Sequence, residues 1–230
     1  AAFKLQAKHV IETKLRGTQY LERMFAEYLP QSFLSSLIEG CVAKGRNYND
    51  GGPKYSISML PGVGIGTVTD SLAAIRYQVF DEKNITMRDL LRAMREDFAN
   101  DPQILNLVQN HSPKYGNDDD YADDIMRAVF ACFRDAVTGR PNMRRGEWRV
   151  GTYRVNMLPT TCHVYFGEVM LASANGRRAG KPVSEGISPE KGADTNGPTA
   201  VLRSCAKMDH LSTGGTLLNQ KFTPSVVAGE

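Results

Sequence analysis

Residues 140 to 199 constrain the fold most, because they interrupt a chain that is otherwise helical in its periodicity. The stretch is rich in Gly, Pro, Asn and Arg, and its apolar runs are the short "TYRVNML" and "CHVYFGEVM". Apolar runs of that length, bounded by turn residues, read as strands. The loops between them are chemically varied rather than Gly/Ser repeats, so they read as ordered connections and not as a flexible linker. Short strands among long helices specify an α/β architecture with the strands packed inside.

The rest of the chain is helix-rich. Leu5, Val10, Leu15, Leu21, Met24, Phe25 and Tyr28 fall at helical spacing within residues 1–28. A second helix fits "QSFLSSLIEGCVAKG", with Pro30 before it and Gly45 after it. "YSISML" alternates Tyr55, Ile57 and Met59 against Ser56, Ser58 and Leu60, which suits a short strand. Helices are expected at about 68–80, 86–99, 102–110 and 119–137. A last helix fits "GPTAVLRSCAKMDH", with Asn196 as N-cap and Pro198 in the first turn. "GGTLLNQKF" then reads as a strand, and "FTPSVVAGE" opens on a strand-like stretch with nothing to close it. The first helix has no capping residue ahead of it, so the chain is expected to be a piece of a longer protein.

Composition excludes several classes. The formal charge is +3, from 28 basic and 25 acidic residues interspersed along the chain, which leaves no basic footprint for nucleic acid. No apolar run approaches the roughly 20 residues that span a bilayer, and no signal-peptide pattern opens the chain, so no membrane role is expected. Cys41, Cys132, Cys162 and Cys205 lie far apart without a C-x-x-C spacing, which indicates neither a zinc site nor a disulfide framework. A reducing cytoplasm is the expected setting.

The local motifs give little chemistry. "PGVGIGTVTDS" follows a strand and precedes a helix, the context of a dinucleotide fingerprint. The spacing fails, since the sixth position is Thr67 from Gly62 and Thr69 from Gly64. Asp70 and Ser71 stand where a phosphate loop wants Lys and Ser/Thr, and Thr67-x-x-Asp70 reads as a capping pattern instead. Gly62, Gly64 and Gly66 therefore read as a tight strand-to-helix turn. The acidic run "GNDDDYADD" fails as a calcium loop, because from Asp118 the sixth and twelfth places hold Asp123 and Val129. Its acids suit a helix start. His111, His163 and His210 are isolated, and His163 reads as a core histidine. Cys41, Cys162 and Cys205 read as small buried side chains rather than reactive thiols.

Five stretches together are familiar. "CVAKGRNYNDGGPKY", "GVGIGTVTDSLAAI", "SPKYGNDDDYAD", "CHVYFGEVMLASANGRRAGKPVSEGISPEKGADTNGPTAVLRS" and "KMDHLSTGGTLLNQKFTPS" recur in this order. They resemble the glycyl radical enzymes (the pyruvate formate-lyase-like barrel), over nearly the whole chain. Within that superfamily they resemble the dehydratase and lyase branch, and "VNMLPTTCHVYFGEVM" looks nearest to the hydroxyproline dehydratases. The resemblance implies an α/β fold that forms part of a ten-stranded barrel, helix-rich and incomplete in this span. In that family two finger loops meet inside the barrel, one with a Cys-x-Glu pair and the other with the radical glycine. A separate radical SAM activating enzyme installs the glycyl radical, and no other cofactor is bound. The radical passes to the cysteine, the thiyl takes a hydrogen from a small-molecule substrate, and a neighbouring group leaves. A closed barrel keeps water away from that intermediate.

The resemblance also exposes an absence. Two residues after Cys41, Cys132, Cys162 and Cys205 stand Ala43, Arg134, Val164 and Lys207, so no Cys-x-Glu occurs. No "RVAGY"-like motif occurs either. Residues 1–230 therefore read as a fragment of the C-terminal half of the barrel domain, with the glycine-radical domain expected beyond Glu230. The resemblance implies no catalytic residue and no metal ligand here, but a stretch of substrate-pocket wall. Leu158 and Thr160 are its first candidates, as apolar and hydroxyl contacts, and Met157 and Thr161 rank after them. A packed barrel strand with a capped turn is the alternative for these residues. The implied whole protein is a cytoplasmic homodimer of anaerobic metabolism that dehydrates a small hydroxylated substrate. A carbon–carbon lyase or decarboxylase of the same superfamily, or an inert scaffold piece when isolated, stays open.

Overall fold

The computed structural model describes residues 2–146 and 149–222, and they divide into two units. The sequence-predicted strand at "FTPSVVAGE" lies, from residue 223 on, outside the described residues.

The first unit comprises residues 1–60, 131–156 and 212–214. Helix α1 (Ala2–Tyr28) forms where its periodicity predicts, yet of the apolar positions named above only Leu15 is buried, beside Ile11 and Glu22. The expected helix over 31–45 is broken into α2 (Ser32–Leu37) and α3 (Cys41–Lys44). Gly40 makes the break, with φ +97 and a missing Cβ that would lie 2.9 Å from the Gly52 carbonyl. The chain turns there so that 40 and 52–54 can touch, a long-range demand that local periodicity does not carry. Cys41 is buried, as expected.

Strand β1 (Ile57–Pro61) shares a three-stranded sheet, in the order β1-β3-β2, with β2 (Pro141–Gly146) and β3 (Arg149–Asn156). Strands β2 and β3 pair antiparallel, with Pro141 opposite Thr152 and a register shift between Pro141 and Arg145. The expected strand is present in β1, where Ser58 and Leu60 point inward while Ile57 and Met59 are exposed. The cause is Glu22. Its buried carboxylate accepts hydrogen bonds from Ser58 Oγ, from the Met143 N–H at 3.0 Å and from the Tyr153 hydroxyl at 2.8 Å. The Asn142 amide donates to Ser58 Oγ at 2.9 Å and completes the network.

The second unit comprises 61–130, 157–211 and 215–230. Helix α4 (Ile65–Ala74) is mostly buried and runs into a π-helical segment, Ile75–Asp81. The wider π turn aims Gln78 at the end of α6 (Pro102–Asn110), where its Nε2 donates to the carbonyls of Leu107 and His111. The Leu107 carbonyl also accepts the His111 N–H at 3.1 Å, so the buried amide adds to the C-terminal cap of α6. Helix α5 (Met87–Arg95) is capped by the Thr86 side chain, and α7 (Asp120–Val137) begins at the acidic run as predicted. Leu90, Phe98, Ile104, Val108, Ala172 and Ala174 belong to the apolar core. "CHVYFGEVM" is not a strand. It forms helix α8 (Cys162–Val169), whose buried Gly167 has no room for a Cβ, 2.3 Å from the Lys181 carbonyl. Cys162 is half-buried rather than buried. Helix α9 (Pro198–Ala206) has Gly197, not Asn196, at its N-cap. Asn196 is held instead by Asn117, whose side chain accepts its N–H at 3.0 Å. "GGTLLNQKF" contributes one parallel bridge, Met157 with Thr216, and no strand among the described residues.

Candidate functional site

The glycine loop turns the chain, and the structure supplies a different reason from the capping pattern. Gly64, at φ +81, is the N-cap of α4, so Thr67 and Asp70 lie inside the helix. Two N–H groups at this helix start are taken up within the chain: Gly64 donates to the Ser184 carbonyl at 3.0 Å and Thr67 to Ser184 Oγ at 3.1 Å. The Thr67 hydroxyl accepts from the Ser184 N–H at 2.8 Å and bonds to the Glu190 carboxylate. A Cβ on Gly66 would meet the Ser188 carbonyl at 3.0 Å. The loop is therefore a dock for residues 184–190.

Asp70 is fully buried behind that dock. Its Oδ1 accepts the Tyr115 N–H at 2.8 Å, and its Oδ2 has no hydrogen-bond partner. Burial pushes its pKa up to about 7, against the opposing charge of Lys114. Lys114 gives its ammonium to the Val108 carbonyl at 2.8 Å, and burial lowers its pKa. Burial likewise raises Glu190. Arg177, also buried, donates to the carbonyls of Leu171, Arg178 and Lys181 and so shapes the loop around it. These four charged groups, with His163 and Asn175, line a cavity of about 860 Å³. Sequence reasoning missed the cluster. Its signal was Asp70 inside a run of Thr69, Ala73 and Ala74, an acid on the buried face of a helix.

The acidic run serves the fold in a second way. Asp123, buried, accepts from Ser204 Oγ at 2.9 Å and from the Lys207 ammonium at 2.7 Å, and Asp118 and Asp120 share that lysine. Burial works against the charge on Lys207, and the three carboxylates outweigh it and raise its pKa. Among the described residues no group of three or more His, Cys, Asp and Glu side chains could hold a metal ion. His163 is half-buried with Nδ1 3.9 Å from Glu185.

The four residues expected on the pocket wall separate by face. Met157 is buried, and its main chain is bonded on both sides: N–H to the Gly215 carbonyl at 2.8 Å and C=O from the Leu217 N–H at 3.1 Å. Leu158 is 38% exposed, and Thr160 and Thr161 are exposed. Thr160 adopts φ +44, a left-handed conformation that is an outlier for a β-branched residue. Its hydroxyl donates to the Pro159 carbonyl at 2.7 Å. Thr161 is the N-cap residue of α8, with no capping bond from its side chain.

Residues 1–167 match the family model described as pyruvate formate lyase-like, and residues 183–230 match the one described as glycine radical. The chain belongs to the pyruvate formate lyase-like family. It is 56% identical over 229 residues to trans-4-hydroxy-L-proline dehydratase of Clostridioides difficile, covering 100% of this chain and 28% of that protein. The crystal structure of hydroxyproline dehydratase from Clostridioides difficile with trans-4-hydroxy-L-proline bound superimposes with a TM-score of 0.93 at 56% identity, over 100% of this chain and 28% of the other. The glycerol-bound B12-independent glycerol dehydratase from Clostridium butyricum gives 0.91 at 36% identity, with the same coverage. The fold is thus α/β and part of the glycyl radical enzyme barrel, helix-rich and incomplete. The chain spans about 28% of the length of these relatives. The glycine radical match opens at residue 183, inside the chain and ahead of the boundary expected at Glu230.

Proposed function

We propose that the chain is the later part of a glycyl radical lyase that eliminates water from a small hydroxylated substrate of the trans-4-hydroxy-L-proline type. The observation that carries this is the 56% identity over 229 residues, an alignment that covers the whole chain. The radical-bearing glycine motif follows Glu230 and the Cys-x-Glu pair precedes Ala1. The chain by itself therefore turns over nothing. A radical SAM activating enzyme installs the radical on the whole enzyme, a cytoplasmic homodimer of anaerobic metabolism. Among the described residues no helix is long and apolar enough to cross a membrane.

The radical, when installed, supplies hydrogen-atom abstraction; this chain's residues orient the substrate for it. Leu158 provides an apolar surface and Thr160 a hydroxyl. Met157 holds the main chain between them and the interior, and Thr161 starts α8 beside them. Because the Thr160 proton is committed to Pro159, its oxygen is left to accept, which suits the ring amine or hydroxyl of the substrate.

Thr160→Val in the full-length enzyme tests this. Valine keeps the β-branch, and with it the strained φ, and removes only the oxygen. An unsatisfied buried partner costs about 1–3 kcal/mol, so kcat/KM is expected to fall about tenfold to a hundredfold. Glycyl radical yield is expected to stay at the wild-type level, since the radical is installed elsewhere. Wild-type turnover would remove Thr160 from the pocket, and a lost radical with intact affinity would make its role structural.

A further inference from the structure

Three separate stretches of the second unit meet at Met157. Its N–H donates to the Gly215 carbonyl, its carbonyl accepts from Leu217, and the Leu217 carbonyl accepts from the Ile187 N–H at 2.9 Å. The buried Tyr115 hydroxyl in turn donates to the Ile187 carbonyl at 2.8 Å. What allows this convergence is Gly186. It sits at φ +51, and a Cβ there would lie 2.4 Å from the Leu217 carbonyl oxygen and 2.9 Å from that of Met157. Both obstacles are main-chain atoms, so a side chain cannot be accommodated by a rotamer change. On the other side Gly215, at φ +134, leaves room for Leu158, whose Cδ1 would be 3.0 Å from a Cβ at that position.

We infer that Gly186 is a positioning residue for the substrate-pocket wall: by letting residues 215–217 close on Met157, it fixes the main chain from which Leu158 and Thr160 project. The inference rests on the proposed function, in which that wall contacts substrate. It also joins the two family segments, because Gly186 and residues 215–217 lie in the glycine radical match and Met157 in the pyruvate formate lyase-like one. A shift of the wall by a fraction of an ångström misplaces the substrate without touching a reacting group.

The test uses the activated full-length enzyme and four variants: Gly186→Ala, Gly186→Asn, Leu158→Ala and the double Gly186→Ala/Leu158→Ala. Gly186→Ala is expected to raise KM about tenfold while the glycyl radical signal keeps its wild-type intensity. Gly186→Asn is expected to match it, because asparagine tolerates a left-handed φ and the obstacle is the Cβ. In the Leu158→Ala background the Gly186 effect is expected to shrink to within about threefold, the mark of two residues acting through one contact surface. An undiminished effect in that background, relief by asparagine, or loss of radical at unchanged KM would each overturn the inference. If Leu158→Ala itself leaves KM and kcat unchanged, the pocket reading fails and takes the inference with it. If Leu158→Ala changes KM and Gly186→Ala does not, only the inference fails. Should the Gly186 variants not fold, Tyr115→Phe removes the bond that holds Ile187 and adds no atoms. It is expected to raise KM several-fold at full radical yield, and an unchanged KM would refute the positioning role.

Discussion

Replacing Glu22 by alanine is expected to destabilise the first unit by about 3 kcal/mol or more. The carboxylate accepts from Ser58, Met143 and Tyr153, all on the sheet side of α1, and the residue is 8% exposed. Each donor stranded in a buried site costs about 1 kcal/mol at the least, and the cavity left by the side chain adds to that. Glutamine should cost less, since its carbonyl still accepts and the Ser58 and Tyr153 hydroxyls can turn to receive its amide. The readout is local: the Met143 amide is itself a donor to Glu22. Its hydrogen exchange in the full-length enzyme is expected to accelerate about a hundredfold in Glu22→Ala, following the lost opening free energy. Exchange at the wild-type rate would show that the network contributes nothing to stability.

A comparable effect is expected from pH at Asp70. The folded state holds its proton up to a pKa of about 7, whereas the carboxyl of an unfolded chain releases it near 3.8. Between those values the folded state binds more protons, so stability falls as pH rises from about 4 to 7 and levels off above. The gap corresponds to about 4 kcal/mol. Glu190, raised by burial, acts in the same direction. Lys114, lowered by burial, has the opposite sign. Arg177 keeps its charge throughout. Urea unfolding at pH 5 and pH 8 is expected to show a smaller loss of stability with pH in Asp70→Asn than in the wild type. Equal losses in the two proteins would mean that Asp70 does not titrate between them.

Much of the fold was legible because local signals and tertiary demands agreed. The α7 helix carries its acids at the start and its apolar residues at helical spacing, and Met126 and Phe130 are buried accordingly. The α8 segment reads as a strand in the sequence because "CHVYFGEVM" is a short apolar run within a stretch rich in turn residues. What decides its form is the left-handed turn at Thr160 ahead of it and the packing of Gly167 on Lys181 and Pro182. The choice of buried face in β1 has a similar cause. Its alternation is legible in the sequence, but a buried glutamate 36 residues earlier sets which side is inside. The wall residues Leu158 and Thr160 came from a resemblance over the whole chain, not from any local motif. The cluster of Asp70, Lys114, Arg177 and Glu190 depends on contacts between distant loops, and sequence spacing does not encode those.

The most direct test of the account is an anaerobic assay of the full-length enzyme after treatment with its activating enzyme, with trans-4-hydroxy-L-proline as substrate and loss of water followed in the product. The account predicts a glycyl radical doublet by electron paramagnetic resonance and radical-dependent dehydration of this substrate. A full radical signal with trans-4-hydroxy-L-proline left intact, while another compound undergoes carbon–carbon cleavage, would contradict it.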